Sequence, residues 1–272
     1  MKRIKGPLQI AIVLSALMVL CGNIFGEEIK KIQDNSFLIE EAYNQEDGVV
    51  QHIQTFQYLP RSASWLYNFT QEWPAPKQAH QLSYTVPITR IDGDSNTTGL
   101  GDVSINYRYQ LIMNGPVALA PRFSLILPTG DYERGLGSGA LGYQISIPLS
   151  VELSEKWVTH WNMGMTYLSG ARAASGEKAD TFVYNLGGSI IYLFSENFNL
   201  LTELVWNSME SVETGGFKEW KRSLFINPGI RYAFNFKSGL QVVPGLSFPI
   251  GLGPSSGEYG ILLYLSLEHP LF

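Results

Sequence analysis

The chain has 272 residues, of which 45% are hydrophobic, 12% aromatic and only 16% charged, and its formal net charge is −5. This composition is too apolar for a disordered chain, and the chain is long enough to fold without disulfide bonds. The acidic balance argues against a nucleic-acid-binding protein, which needs a basic face to neutralise phosphates. Charged residues are well below the roughly 25% of an average soluble domain, which suggests an apolar surface.

The first residues have the pattern of a secretory signal peptide. Three cations within the first five residues precede an apolar run at 8–20, which is short for a membrane-spanning helix. We predict that residues 1–26 are a signal peptide cleaved after Gly26. The single cysteine, Cys21, offers the alternative of a lipidated cysteine. Export followed by cleavage would leave a mature chain without cysteine, suited to an oxidising compartment.

Residues 27–47 form a separate predicted region, a periplasmic N-terminal segment that lacks regular alternation. The stretch at 37–43 could form a short helix or plug the periplasmic mouth of the following domain. A solvated lead-in is the alternative. The remaining residues, 48–272, are predicted to form the main domain.

That domain alternates between apolar and polar residues almost throughout. At 102–111, for example, every second residue is Val, Ile, Tyr or Leu, and the residues between them are polar. A strict period of two predicts strands with one apolar and one polar face. We find about twelve such runs: 48–58, 64–73, 78–88, 101–112, 117–128, 139–153, 157–168, 180–194, 197–208, 221–235, 239–250 and 258–268.

Most of these runs are too long for a soluble sheet, whose strands average five or six residues, whereas a tilted membrane-spanning strand needs about 9–11. The sequence therefore predicts an all-β protein, a transmembrane antiparallel β-barrel of about 12 strands. The two earliest runs are the least regular, so 10 strands remains an alternative.

The connections between the runs are alternately short and long. Long connections are expected at 90–100, 129–138, 169–179 and 209–220, with short ones between them. Outer-membrane barrels have short periplasmic turns, longer extracellular loops and an even number of strands. This pattern predicts a location in the cell outer membrane, with outer-membrane lipid as the surrounding partner.

The C-terminal run ends in Phe272, which resembles the signal read by the barrel assembly machinery, although Pro270 occupies a position that is more often aromatic. We therefore expect this machinery to be a partner of the chain. We expect a monomer that binds a small-molecule solute and no nucleic acid.

No motif predicts catalysis, a cofactor or a metal site. The four histidines, at 52, 80, 160 and 269, are not at ligand spacing. The glycine-rich stretch at 135–142 lies between two predicted strands with no helix after it, so it does not fit a dinucleotide-binding motif. We predict that the protein is not an enzyme and uses no cofactor.

Charges on the polar strand faces are the candidate functional residues. An arginine or lysine facing lipid at the membrane midplane costs about 2–4 kcal/mol, so the lumen is the favoured side. One interpretation is a salt-bridged lumen that stabilises a narrow barrel; the other is a solute path whose selectivity these charges set. The predicted lumen-lining residues are Asp102, Arg108, Arg122, Glu152, Glu203 and Arg231.

Three short motifs carry a family resemblance: TGLGDV at 98–103, LPTGD at 127–131 and GLGSG at 135–139. They resemble the outer-membrane family named after the meta-pathway of phenol degradation, whose members are described as transporters. The resemblance implies a barrel and solute passage. Our hypothesis is a passive channel for small solutes, including aromatic or apolar compounds. The alternative is a structural or interaction barrel with a closed lumen.

Overall fold

A computed structural model describes residue 32 and residues 34–92 and 96–271. The predicted signal peptide at 1–26 and the terminal Phe272 lie outside the described residues. In the part of the chain that is described, no helix has both the length and the apolar character needed to cross a membrane.

Twelve wall strands, β1 to β12, follow one another in chain order, and β4, β5, β10 and β11 are interrupted. Their bounds are Val49–Leu59 (β1), Ser64–Pro74 (β2), His80–Ile91 (β3), Thr97–Leu100 with Val103–Tyr109 and Ile112–Asn114 (β4), Val117–Leu119 with Arg122–Leu127 (β5), Leu141–Ser154 (β6), Trp157–Arg172 (β7), Lys178–Ser195 (β8), Phe198–Val212 (β9), Lys218–Tyr232 with Phe234–Asn235 (β10), Gln241–Ser247 with Ile250–Gly251 (β11) and Ile261–Pro270 (β12). Two short 3₁₀ helices, Tyr132–Arg134 and Gly253–Ser255, lie in the connections.

Each strand pairs antiparallel with its neighbours in the chain, and the first strand pairs with the last. The closing seam between β1 and β12 runs from the pair Val49 and Pro270 to the pair Tyr58 and Ile261. Closure removes the two free edges that an open sheet would expose. The prediction of a transmembrane antiparallel barrel is confirmed, and the strand number is twelve rather than ten.

The two ends of the barrel differ. The terminal end carries the turns at 75–79, 115–116, 155–156, 196–197 and 236–240 and the start of β1 and end of β12. The loop end carries the connections at 60–63, 128–140, 173–177, 213–217 and 252–260, together with Asp92 and Asn96. The connection at 128–140 is the longest of these.

The prediction of long loops at 169–179 and 209–220 was wrong. Strands β7 to β10 continue through most of both stretches and leave only 173–177 and 213–217 as loops. Two ion pairs support this extension: Lys218 to Glu210 at 2.8 Å joins β9 and β10, and Lys221 to Glu213 at 2.7 Å joins β10 to the first loop residue. Because most residues on both faces are polar there, the apolar alternation that reveals a strand in the sequence is lost.

The wall has apolar side chains outside and mostly polar side chains inside. Exposed outward residues include Ile105, Ile145, Met163, Leu186, Leu204 and Leu263. Buried inward residues include Asn106, Ser146, Asn162, Ser189, Asn227 and Ser266. Apolar residues inside the barrel form one main cluster, Phe37, Ile53, Ile191, Leu201, Leu262 and Tyr264. This polarity is the reverse of a soluble domain and matches a barrel surrounded by lipid.

Candidate functional site in the barrel lumen

Residues 34–45, which we call the lumen segment, lie inside the barrel. They form neither a helix nor a strand. The segment crosses from the β9–β12 wall to the β3–β7 wall and then joins β1 at the terminal end. The sequence left a short helix, a plug or a solvated lead-in open for this stretch. The described segment is not a helix, and it fills the terminal half of the lumen as a plug would.

Glu203 on β9 holds the middle of the lumen segment. Its side chain is completely buried, and Oε1 accepts hydrogen bonds from the backbone N–H groups of Phe37, Leu38 and Ile39 at 2.9, 2.8 and 2.9 Å. The other oxygen, Oε2, accepts a hydrogen bond from Asn227 Nδ2 at 2.6 Å. Three successive N–H groups turned towards one carboxylate form an anion-binding nest built by the segment.

Two buried arginines hold the two ends of the segment. Arg231 on β10 donates from Nη1 to the carbonyl oxygens of the first two segment residues, at 2.8 and 2.6 Å. Arg108 on β4 donates from Nη1 to the carbonyl of Glu41 at 3.0 Å and from Nη2 to that of Tyr43 at 2.6 Å. Both guanidinium groups therefore bind backbone carbonyls, and that of Arg108 also forms an ion pair with Glu72 at 3.9 Å, which leaves little of their donor capacity for a solute in this state.

Most of the remaining polar groups of the segment also bind the wall. Arg122 forms an ion pair with Glu40 at 2.6 Å. Side-chain oxygens of the wall accept four further backbone N–H bonds: Glu40 to Asn162 (2.7 Å), Ala42 to Ser150 (2.8 Å), Asn44 to Gln110 (2.9 Å) and Gln45 to Gln81 (2.8 Å). Because the wall satisfies these buried backbone groups, the segment needs no secondary structure of its own.

Glycines on the wall make room for the apolar middle of the segment. A Cβ atom added at Gly245 or Gly229 would collide with the ring of Phe37, and one added at Gly187 would collide with Ile39. The wall is therefore shaped to the side chains of this segment, in addition to bonding its backbone.

Asp34 and Glu41 are acids buried within the segment. Oδ1 of Asp34 accepts hydrogen bonds from the Tyr264 hydroxyl and from Gln51 Nε2. Among the described residues, Asp34 Oδ2 and Glu41 Oε2 are buried without a partner. Burial raises the pKa of Asp34 from 3.8 to about 6, although the charge of Arg231 lowers it, and burial also raises the pKa of Glu41 well above its usual value. Such carboxyl groups take up protons more readily than exposed ones.

Glu152 lies near the terminal end of β6 and lines a cavity of about 30 Å³ beside Tyr43 and His160. In the same region, Ser150 Oγ lies 2.7 Å from His160 Nδ1. A serine beside a histidine can serve nucleophilic catalysis. Here both side chains are buried, and Ser150 accepts the Ala42 N–H, so this pair holds the lumen segment.

Asp102 lies at the other end of the barrel and holds the connection at 128–140, which we call the long loop. Its Oδ1 accepts from the Gly130 N–H at 3.0 Å, and its Oδ2 accepts from the N–H and the hydroxyl of Ser138, both at 2.7 Å. Thr129 donates its hydroxyl to the carbonyl of Gly101 at 2.7 Å. The three sequence motifs at 98–103, 127–131 and 135–139 therefore meet in one interlocked structure.

The loop half of the lumen keeps open space. A cavity of about 330 Å³ lies at the loop end against β1, β2 and β3, lined by Gln57, Leu59, Ser64, Leu66, Thr89 and Ile91 among others. The contrast with the cavity of about 30 Å³ beside the lumen segment shows where the barrel is filled.

The six residues singled out from the sequence thus occupy three places. Arg108, Arg122, Glu203 and Arg231 contact the lumen segment, Glu152 lies beside it, and Asp102 binds the long loop. That any of them lines a solute path stays a prediction.

The sequence did not reveal the other residues that bind the lumen segment to the wall. The segment's own acids and the small or amide side chains of the wall, such as Ser150 and Asn162, carry no motif. The available signal was the presence of glycine at inward positions of β8, β10 and β11, where a filled lumen needs space. Within the described residues, no group of three or more His, Cys, Asp or Glu side chains is arranged to hold a metal ion.

Comparison with protein families finds one match, over residues 43–249, to the family described as "Putative MetA-pathway of phenol degradation". The comparison with curated proteins gave no match. Among solved structures, an outer membrane channel from Pseudomonas putida F1 is 17% identical with a TM-score of 0.57, covering 84% of this chain and 97% of that one. The NanC porin is 10% identical with a TM-score of 0.53, covering 81% and 100%, and the KdgM porin is 13% identical with a TM-score of 0.52, covering 82% and 99%. These structures share the fold of outer-membrane barrels with this chain. Its own closed wall with an apolar outer face is that of a barrel lying in the outer membrane.

Proposed function

The chain belongs to the phenol-degradation family matched over residues 43–249, and from this premise we propose that it is a passive outer-membrane channel for small solutes. The observation that carries the proposal is the polar inner wall of a closed twelve-strand barrel, blocked by a segment that is not part of that wall. Passage requires the lumen segment to leave the position it occupies in this structure.

The bonds of the segment support its role as a removable block. It contacts the wall through hydrogen bonds and ion pairs to side chains and adds no strand to the sheet. If the segment left the lumen, water could hydrate the polar groups of both. The apolar surface exposed would be Phe37, Ile39 and the wall residues of the Phe37 cluster, such as Ile191 and Leu201.

Small aromatic or apolar compounds are the solute class we propose. The lumen carries apolar side chains beside its polar ones, including Ile53, Leu201, Leu262 and Tyr264. The cavity at the loop end is lined by both kinds of group. The Pseudomonas putida F1 structure is named an outer membrane channel, which agrees with solute passage but does not name a solute.

Planar-bilayer conductance and liposome swelling test this proposal. We expect low flux through the wild-type protein and a large increase when residues 34–45 are deleted. Swelling in a small aromatic solute should exceed swelling in a sugar of similar size. Heat-modifiable mobility on gels verifies that each variant is a folded barrel before flux is compared.

If neither the folded wild type nor the folded deletion variant passed any ion or solute, the proposed channel function would be contradicted. That result would favour the structural barrel with a closed lumen. Retained wild-type flux after the deletion would show that the segment does not block the path. An enzyme is disfavoured because the Ser150–His160 pair is buried under the segment.

We further propose that the barrel works as a monomer and is inserted by the barrel assembly machinery through its last strand. The closed hydrogen-bonding of β1 to β12 leaves no wall strand that needs a partner subunit. Cross-linking in membranes tests the monomer, and an insertion assay with Phe272 removed tests the signal.

A further inference from the structure

The outer face of the closing seam carries a pair of histidines that the channel does not use. His52 is the fourth residue of β1, and His269 is the last but one of β12. The register places His52 opposite Leu267 and His269 opposite Val50, so the two histidines are diagonal neighbours on one face. Their Nε2 atoms are 3.2 Å apart, although 217 positions separate them in the chain.

The surroundings of His269 determine which of its nitrogens is free to bind. Its Nδ1 lies 2.8 Å from the carbonyl oxygen of Pro270, and a carbonyl can only accept a hydrogen bond. Nδ1 therefore carries the proton, and Nε2 presents its lone pair towards His52. A carbonyl that fixes the tautomer of a histidine in this way is a common outer partner of a metal-binding imidazole.

His52 is held in place from the other side. Its ring stacks on Phe69, with centroids 6.1 Å apart and an interplanar angle of 22°. It meets His269 edge to edge, Nε2 to Nε2, with centroids 5.3 Å apart and an interplanar angle of 25°. The two imidazoles are thus pre-positioned, which reduces the entropy that binding an ion would cost.

We propose that His52 and His269 form a two-histidine site for a borderline divalent transition-metal ion such as zinc, which links the first and last strands. A Zn–N bond is about 2.0–2.1 Å, and a tetrahedral angle between two such bonds places the nitrogens about 3.3 Å apart. The observed separation of 3.2 Å fits this geometry. Water completes the coordination, and imidazole suits zinc, nickel and copper better than magnesium or calcium.

Binding needs both Nε2 atoms unprotonated. His269 already has the required tautomer, whereas the proton of neutral His52 must be on Nδ1 rather than on Nε2. Without the ion, His52 can donate from Nε2 to His269, which is the competing arrangement of the same pair. An ion bound only by the folded barrel stabilises it by mass action, because unfolding separates the two ligands.

Zinc titration of the full-length barrel in detergent, without a polyhistidine tag, tests the site. We expect one zinc ion per chain and a rise in the temperature at which the folded band disappears on gels, reversed by a chelator. Both effects should be lost in His52→Ala and in His269→Ala. His80→Ala is the matched control, because this histidine contacts Tyr107 and Tyr109 away from the seam and its loss should leave both effects intact.

Failure of the wild-type protein to bind zinc, with unchanged thermal behaviour, would overturn the proposal and leave an imidazole–imidazole hydrogen bond only. Equal binding by wild type and both seam variants would also overturn it, by placing the ion elsewhere. If either seam variant fails to fold, His52→Gln and His269→Gln, which keep a polar side chain of similar length, take its place. Conductance of the same samples reports separately on the channel.

Discussion

Two carboxylates hold two different pieces of chain in the same barrel. Glu203 is fully buried and binds three N–H groups of the lumen segment, whereas Asp102 is partly exposed and binds two N–H groups and a hydroxyl of the long loop. Among the described residues, the segment is anchored to the wall covalently at β1, whereas the long loop is continuous with β5 and β6. Similar chemistry therefore serves two purposes, since only the segment can leave the lumen without breaking the wall.

The difference teaches that bond strength alone does not decide what can move. Asp102 holds a loop whose two ends are already positioned by paired strands. Removing its side chain should therefore increase the mobility of the long loop and leave the rest of the barrel unchanged. Glu203 holds the middle of a segment whose other wall contacts, to arginines and polar side chains, lie on either side of it. Its loss should weaken the whole docked arrangement.

The largest effect is expected from Glu203→Ala. Three backbone donors lose their acceptor, and each unsatisfied donor costs about 1–3 kcal/mol, so docking should weaken by about 3 kcal/mol or more. We expect a clear rise in conductance and faster labelling of a cysteine placed at Ala42, which is fully buried while the segment is docked. Glu203→Gln keeps one acceptor oxygen and should have a smaller effect. Unchanged labelling in the alanine variant would show that the segment is held mainly by other contacts.

A pH effect of intermediate size is expected in the lumen segment. The docked Asp34 has a pKa of about 6 against 3.8 ordinarily, because burial outweighs the attraction of Arg231 and the hydrogen bond from Tyr264; the charge of Glu268 also raises it. Since the docked carboxyl binds its proton more tightly, the contribution of this group to docking is complete below about pH 3.8. It is lost as the pH rises through about 6, by about 3 kcal/mol at most. Glu41 acts in the same direction.

Conductance measured between about pH 4 and about pH 7 tests this effect, and it should rise with pH. Asp34→Asn, which keeps a neutral side chain of the same shape, should remove much of the dependence. A conductance that falls with rising pH would contradict the assigned sign. A wild-type pH profile in Asp34→Asn would assign the dependence to another group.

The smallest effect on flux is expected from Asp102→Ala. Three hydrogen bonds of the long loop are lost, with a local cost of about 1–3 kcal/mol because the site is partly exposed. Limited proteolysis within 128–140 should become faster, whereas conductance and labelling at Ala42 should stay close to wild type. If Asp102→Ala opened the channel as far as Glu203→Ala, the long loop and not the lumen segment would control flux.

The wall of the barrel could be predicted because each strand shows in its own sequence which side chains face lipid and which face the lumen. Alternation at 102–111 and in the other runs records which face meets lipid, and the predicted and observed strands agree closely. The errors came where that signal stops. Towards the loop end, β7 to β10 carry mostly polar residues on both faces, so the strand ends near Arg172 and Lys218 could not be distinguished from loops.

The candidate site could be predicted only in part. An arginine on a polar strand face, such as Arg108 or Arg231, must lie inside, because lipid excludes its charge. Its partner could not be predicted, since the acceptors are backbone carbonyls, which every residue carries. The same holds for Glu203, whose donors are three ordinary N–H groups.

The sequence by itself determined the class of the protein: a barrel in the outer membrane, its approximate strand number, its inward charges and its family. These properties depend on residue type and spacing alone, because contact with water or lipid decides at each position whether a polar or an apolar side chain is favoured. Only the tertiary structure decided what fills the lumen and what meets at the seam. Residues 34–45 lack periodicity because the wall satisfies their backbone. His52 and His269 become neighbours only when the last strand closes on the first.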